Sequence, residues 1–333
     1  MNVHTPPTDG WTLGRVVVAG LCAIGVAALV IVNPPAMLLA TVFGPGAANA
    51  APRINASASA FGESGQLRLQ VRMPGERFDF PVEVDAPGAV PEYLWVKAED
   101  SSAVMEPLPM TGTTVKAPVL PGMYRLALMS PTGRRIVDSM VVGVLVPFST
   151  KLGSTLNGYR IGRYRWERLG GEAAPPPVGF LQVLPEDVGL PVSAHLRLGD
   201  FLTHDDQDVW PRYVALDPRI LDKIELVLAD LGVKDFEMPM DVSSGFRTPL
   251  YNRTVPRAAG DSRHQYGDAA DLAIDVDGDG RVSFADAMAV ARAVERVERR
   301  HPDLVGGLGL YGNNGTSPYV HIDVRGKPSR WRG

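Results

Sequence analysis

Seventeen consecutive residues near the start of the chain, VVVAGLCAIGVAALVIV (16–32), carry no charge, and Arg15 stands just before them. As a helix such a run rises about 25 Å, the short end of what spans a bilayer core. The following residues, NPPAMLLATVFGPGAANA, add a second apolar stretch broken by Pro34 and Pro35. Two readings follow. One is a retained N-terminal transmembrane helix within residues 1–50, giving a single-pass protein of the cell membrane. The other is a cleaved secretory signal with Ala48-Asn49-Ala50 as an A-x-A-like site, which lies far from the first apolar run. Leu21, not a small residue, precedes Cys22 and argues against a lipoprotein. Both readings place everything after residue 50 outside the cytoplasm, in a periplasm-like space. The scarcity of positive charge after the span agrees with that orientation.

Cys22 is the only cysteine of the 333 residues and falls inside the apolar run. A disulfide framework, a cysteine-ligated zinc and a cysteine nucleophile are thereby excluded for the folded part. Any metal there is held by His, Asp or Glu. The net charge of -4 gives no reason to expect a nucleic-acid partner.

The length allows about two domains, and 35 Gly with 29 Pro favour turns and strands. Between residues 53 and 150, apolar residues alternate in QLRLQVRM, EYLWVKA and MYRLALMS, with Pro and Gly turns between. That spacing predicts an all-β sandwich, serving as spacer or binding module. Residues 151–179 read as a linker: LGGEAAPPPVG is stiff Pro-rich material. The preceding NGYRIGRYRWERL places aromatics among arginines, either as a packed segment or as a contact for glycan or anionic polymer. From residue 180 to 333 the pattern becomes α+β. Asp217-Pro218 opens a helix with an apolar stripe from Ile220 to Leu231, ended by Gly232. A second helix is expected from Phe284 to His301, stopped by Pro302.

Three segments of this second half carry candidate chemistry: SSGFRTPLYN (243–252), SRHQYGDAAD (262–271) and YVHIDVRG (319–326). His264 sits in a polar loop, and Gly267 permits a turn into the apolar strand AADLAI. Asp271 lies in that strand, where an unpaired carboxylate costs several kcal/mol, on the order of a broken buried pair. A metal would compensate it; an arginine partner is the alternative, and His264 alone reads equally as a satisfied polar residue. In YVHIDV, His321 and Asp323 share a strand face. Two His and one carboxylate would leave a tetrahedral position open, the pattern of a catalytic zinc.

SRHQYGDAAD matches S-x-H-x-x-G-x-A-x-D at every fixed position. It resembles the zinc D-alanyl-D-alanine carboxypeptidase family, which includes VanY-like enzymes and related peptidoglycan endopeptidases. GFRTPLYN resembles that family's G-[YF]-R-[ST]-P segment, and GGLGLYGNNGTSPYVHIDVRGKPSRW resembles its C-terminal G-x-G-x-Y and V-H-[IVL]-D motifs. The resemblance covers residues 180–333. It implies zinc bound by His264, Asp271 and His321, with Arg247 steadying an oxyanion or a substrate carboxylate and Ser262 near the ligands or the substrate. It implies hydrolysis of peptidoglycan peptides. Where family members place a Glu or a His as general base, this chain has Pro318 and Tyr319. Asp323 is the remaining candidate for the base, or else a partner that orients a histidine.

Residues 275–286, DVDGDGRVSFAD, fit a second metal loop. Oxygen ligands at EF-hand spacing fall on Asp275, Asp277, Asp279, the Arg281 carbonyl, Ser283 and Asp286, with Gly280 at the sharp turn. The loop also resembles one dockerin half-repeat. The expectation is a structural calcium that fixes the start of the second helix and the strand bearing Asp271; a solvated acidic turn is the plainer alternative. Three functions thus remain open from sequence: a zinc peptidase acting on peptidoglycan, a catalytically weak peptidoglycan-binding protein, or a calcium-dependent adhesion or scaffold protein.

Overall fold

Alternation along EYLWVK becomes a strand whose two faces serve two cores. β1 (Leu69–Arg72), β2 (Glu92–Lys97), β3 (Gly122–Ser130) and β4 (Val141–Val144) pair in the order β1-β4-β3-β2. Only the β1–β4 pairing is parallel. Tyr93 and Trp95 of β2 point into the main core, while Leu94 and Val96 meet Ala127 on the opposite face. Leu108–Pro109 extends this sheet past β2, and Gly133–Ile136 lies along β3. Two further ladders pair Arg53–Ala56 with Val82–Asp85 and Arg77–Asp79 with Thr114–Lys116. The computed structural model describes residues 53–56, 61–85, 90–130, 133–170, 173–233, 240–312 and 317–333. The apolar N-terminal run and the A-x-A-like site lie outside these. Among the described residues, no helix is long and apolar enough to cross a membrane.

The stretch expected as a linker is not free chain. β5 (Val146–Pro147) pairs with β6 (Gly179–Val183), which pairs with β7 (Arg212–Val214), so one small sheet joins the two halves. Between them, Leu156, Tyr159, Ile161 and Tyr164 are fully buried. The Leu250 N–H donates to the Ile161 carbonyl at 2.9 Å. Tyr159 and Tyr164 of the Arg-rich run are thus core residues, while Trp166 stays exposed, and apolar burial near 25 cal/mol per Å² holds the segment against its neighbours. The main hydrophobic core draws on residues from Phe61 to Val324.

The second half is a five-stranded sheet with two long helices, Pro218–Asp230 and Phe284–Arg300, and a short one, Pro249–Asn252. β8 (Met240–Ser244), β9 (Ala269–Ile274), β10 (Gly307–Tyr311), β11 (Tyr319–Asp323) and β12 (Ser329–Arg332) pair in the order β8-β9-β11-β10-β12. All pairings are antiparallel except β10–β12. The helices are α1 (Arg165–Leu169), α2 (Pro218–Asp230), α3 (Pro249–Asn252) and α4 (Phe284–Arg300). α2 begins at Pro218, and the Asp217 carboxylate accepts the Arg219 N–H at 3.0 Å. Its stripe of Ile220, Leu221, Ile224, Val227 and Leu228 is buried. Asp222, Lys223 and Glu225 are buried too. Asp222 accepts the backbone N–H groups of Glu63 and Ser64, and Lys223 reaches Glu298 of α4.

Candidate metal centre

Sheet register assembles the site. Ser244 of β8 faces Asp271 of β9, Asp271 faces His321 of β11, His321 faces Gly309 of β10, and Gly309 faces Trp331 of β12. One row across five strands therefore carries two candidate ligands and their neighbours. His264 comes from a 3-10 turn, Arg263–Tyr266, that begins after Ser262. Gly267 ends that turn at φ 72, and a Cβ there would overlap the Ala215 carbonyl. Glycine is needed for both the left-handed backbone and the close approach. It turns the chain into β9, so that His264 lies over Asp271.

His264 Nε2 lies 3.1 Å from Asp271 Oδ1 and 3.1 Å from His321 Nδ1, and His321 Nδ1 lies 2.8 Å from Asp271 Oδ1. The outer ring nitrogens fix which atoms face inward. His264 Nδ1 donates to the Gly245 carbonyl at 2.7 Å, and His321 Nε2 donates to Asp323 Oδ2 at 3.2 Å. In the neutral rings the two inward nitrogens therefore present lone pairs, beside a carboxylate oxygen. Three acceptors facing one another within hydrogen-bond distance repel unless a cation joins them. Atoms bound ~2.0–2.1 Å from a tetrahedral ion lie about 3.3 Å apart, close to the spacing seen. The donor set, two imidazoles and one carboxylate, fits zinc.

Burial pushes the Asp271 carboxyl up, but His264 and His321 outweigh it and hold it well below the usual carboxylate range. Burial lowers His264. It also works against charge on His321, where bonds to Asp271 and Asp323 prevail and raise it. Arg247 follows the irregularity at the end of β8. Its Nε donates to Ser244 Oγ at 2.7 Å and its Nη2 to Asp271 Oδ2 at 2.6 Å. Tyr319 lies on the His321 face of β11, its phenol pushed up to about 12 by burial and by the Asp271 carboxylate. It remains a hydrogen-bond donor at neutral pH.

Asp323 does not face the space between the three ligands. Its Oδ2 meets the far nitrogen of His321. Its Oδ1 accepts the Gly307 N–H at 2.8 Å, the Arg325 N–H at 3.1 Å and Arg325 Nε at 2.8 Å, and Arg325 also bonds Oδ2. A carboxylate so engaged orients His321 from behind. The base role considered from sequence is therefore set aside in favour of the orienting one.

Sequence reasoning missed several supports. Trp331 packs on the His321 ring with centroids 5.2 Å apart, and its indole N–H donates to the Tyr311 hydroxyl at 2.7 Å. Tyr311 stacks on Tyr319 at 4.5 Å. Gly309 makes the space, because a Cβ there would overlap the indole. Fully buried Lys223 donates to the Asp323 carbonyl at 2.8 Å. Trp331 lay in the quoted C-terminal motif, but its partner was not readable from spacing.

In the loop 275–286, carboxylate oxygens of Asp275, Asp277 and Asp286 gather within 4.8 Å of one another. Asp275 accepts the Gly278 and Gly280 N–H groups, and Asp286 accepts those of Val276, Asp277 and Ser283. Asp279 stands outside that group and accepts the Arg281 N–H. The Ser283 hydroxyl caps α4 and bonds Asp286 at 2.6 Å.

Residues 213–323 match the Peptidase M15 family. The matched segment contains His264, Asp271, His321, Arg247, Ser262 and Asp323, and ends short of Trp331. Two solved structures overlap parts of the chain. One is the Serratia marcescens L-Ala D-Glu endopeptidase ChiX, with 24% identity, 33% of this chain, 83% of that chain and a TM-score of 0.26. The other is Sidekick-1 immunoglobulin domains 1–4, with 18% identity, 23% of this chain, 20% of that chain and a TM-score of 0.16. Overlaps at those scores do not establish a common fold. No curated protein matches the chain. The M15 segment thus coincides with the half that carries the His-Asp-His group.

Proposed function

We propose that this protein is a zinc-dependent peptidase that hydrolyses peptide bonds of peptidoglycan outside the cytoplasm. The observation that carries the reading is the convergence of His264 Nε2, Asp271 Oδ1 and His321 Nδ1, each held from behind. The M15 match supports the reaction class. The extracytoplasmic setting rests on the apolar run at 16–32. Zinc bound there would supply Lewis-acid polarisation and an acidified water, with a pKa near roughly 7. The chain's own groups do the rest. Gly245 and Asp323 fix the ring tautomers. Arg247 holds the second oxygen of Asp271 and offers its remaining N–H groups to substrate charge. Tyr319 offers a neutral hydroxyl to a developing oxyanion.

The absence of Glu or His at positions 318 and 319, together with the saturation of Asp323, favours a second reading: a peptidoglycan-binding protein that keeps the metal but cleaves weakly. Digestion of purified peptidoglycan by the zinc-loaded protein, with products identified by mass spectrometry, separates the two. The first reading expects muropeptide products that disappear in His264→Ala, and the cleaved bond identifies end-cutting or crosslink-cutting. A zinc-loaded wild type that releases nothing overturns it and leaves the second. Calcium at 275–286 belongs to the same proposal, supported by the ligand spacing and by the three gathered carboxylates.

A further inference from the structure

A cluster of exposed charge outside the metal centre lies on the run from Arg160 to Leu169. Its buried residues, Ile161 and Tyr164, anchor it, while Arg160, Arg163, Arg165 and Arg168 are all exposed. The single acid of the run is already engaged. Glu167 pairs with Lys151 at 2.7 Å and accepts the Tyr164 N–H at 2.7 Å. Arg165 makes only a long contact with Asp261, 3.8 Å. Arg163 and Arg168 have no acidic partner among the described residues. Trp166 is 41% exposed and Leu169 55%. A chain of net charge -4 thus displays four exposed arginines and an exposed indole within nine residues. Clustered exposed arginines set up a positive potential that attracts polyanions.

Its position gives it a use. Gly162, at φ 91, backs directly onto Leu250, where a Cβ would lie 2.6 Å from the Leu250 nitrogen. The Tyr164 and Tyr266 rings lie 5.8 Å apart. Leu250 is three residues beyond Arg247, and Tyr266 ends the turn that carries His264. The run is therefore fixed to the two segments that flank the metal centre. Exposed Arg253 and Arg257 lie on the next loop.

We infer that this surface docks a polyanionic glycan, a polysaccharide bearing repeated carboxylate or phosphate groups. Arginines pair with the anionic groups and Trp166 stacks on sugar faces. Docking holds an extended polymer beside the metal centre. This goes beyond the peptidase reading and does not depend on hydrolysis.

The test uses the full chain in mild detergent and measures binding to polygalacturonate, a phosphorylated mannan, neutral dextran and double-stranded DNA. Both anionic glycans should bind, more weakly by about tenfold or more when salt rises from ~50 to ~300 mM. Dextran should not bind. Arg163→Glu with Arg168→Glu should lower affinity at least tenfold, and Trp166→Ala should weaken both glycans more than it weakens DNA. Which glycan binds tighter tells carboxylate from phosphate. Zinc content should be unchanged in every variant, which separates loss of docking from misfolding. Binding that is salt-independent, equal for dextran, or unaltered in the double variant overturns the inference. DNA binding tighter than either glycan, and insensitive to Trp166→Ala, overturns the glycan assignment. Glycan binding without hydrolysis leaves docking standing while the peptidase reading fails.

Discussion

Replacing Lys223 with methionine tests whether a buried ion pair behind the metal centre holds the sheet together. Lys223 is fully buried, with its Nζ 2.7 Å from Glu298 Oε1 and 2.8 Å from the Asp323 carbonyl. Burial lowers its pKa, and the Glu298 carboxylate opposes that. Methionine nearly preserves the volume. It leaves the Asp323 carbonyl without its donor, a cost of about 1–3 kcal/mol. It also leaves Glu298 with only the Gly306 N–H and Arg330. Removing one member of a buried pair typically costs about 3–5 kcal/mol. The Arg330 partner, at 37% side-chain exposure, offsets part of that, so Lys223→Met should cost about 4 kcal/mol in all. That is a large share of the ~5–15 kcal/mol typical of a domain. Urea denaturation with a chelator present measures it without a contribution from bound metal. The coupling is tested by adding Glu298→Leu. With the carboxylate gone, the double variant should recover about 2 kcal/mol relative to Lys223→Met. A cost below about 1 kcal/mol for Lys223→Met, or simple additivity of the two substitutions, would refute the argument.

Other consequences can be measured directly. Gly309→Ala should displace the Trp331 indole from His321 and weaken zinc binding ~10–100-fold in a chelator competition; unchanged affinity would show that the indole does not support the ligand. Burial pushes Asp187 up to about 6. Its stabilising contribution is full below pH ~4 and is lost as pH rises through about 6, roughly 3 kcal/mol in all. Asp187→Asn should abolish that slope in urea titrations from pH 4 to 7, and a slope that persists would assign it elsewhere. Calcium should raise the melting temperature of chelated protein, and Asp275→Asn should remove the effect; no rise in the wild type would leave 275–286 a plain acidic turn.

The grouping of His264 with Asp271 was legible because chemistry and spacing coincide over a short distance, seven residues around one glycine turn, while His321, fifty residues on, joined them through the motif it shares with the resembled family. α2 and α4 were legible for the same reason, since Asp217, the apolar stripe and Pro302 are all local signals. What could not be read is what depends on sheet register. Trp331 meets His321 only because β12 runs parallel to β10, and Asp323 turns away from the ligands only because Gly307 clears room for it. The polar face of α2 was equally opaque. Amphipathic spacing assigns Asp222 and Lys223 to water, yet each is buried against partners far along the chain, Ser64 and Glu298. For NGYRIGRYRWERL the sequence left a packed segment and a polymer contact open, because burial of Tyr159 and Tyr164 depends on surfaces formed elsewhere in the chain.

The β5–β6–β7 junction has a consequence for synthesis on the ribosome. Leu181 of β6 lies so close to Gly143 of β4 that a side chain at position 143 would overlap it. Phe180 and Val214 belong to the same continuous core. The first half therefore closes its interior with Leu181 of β6, which emerges well after β4. Until then the nascent chain carries an open apolar face, and the Pro-rich run between β5 and β6 sets how soon the covering strand can swing back onto it.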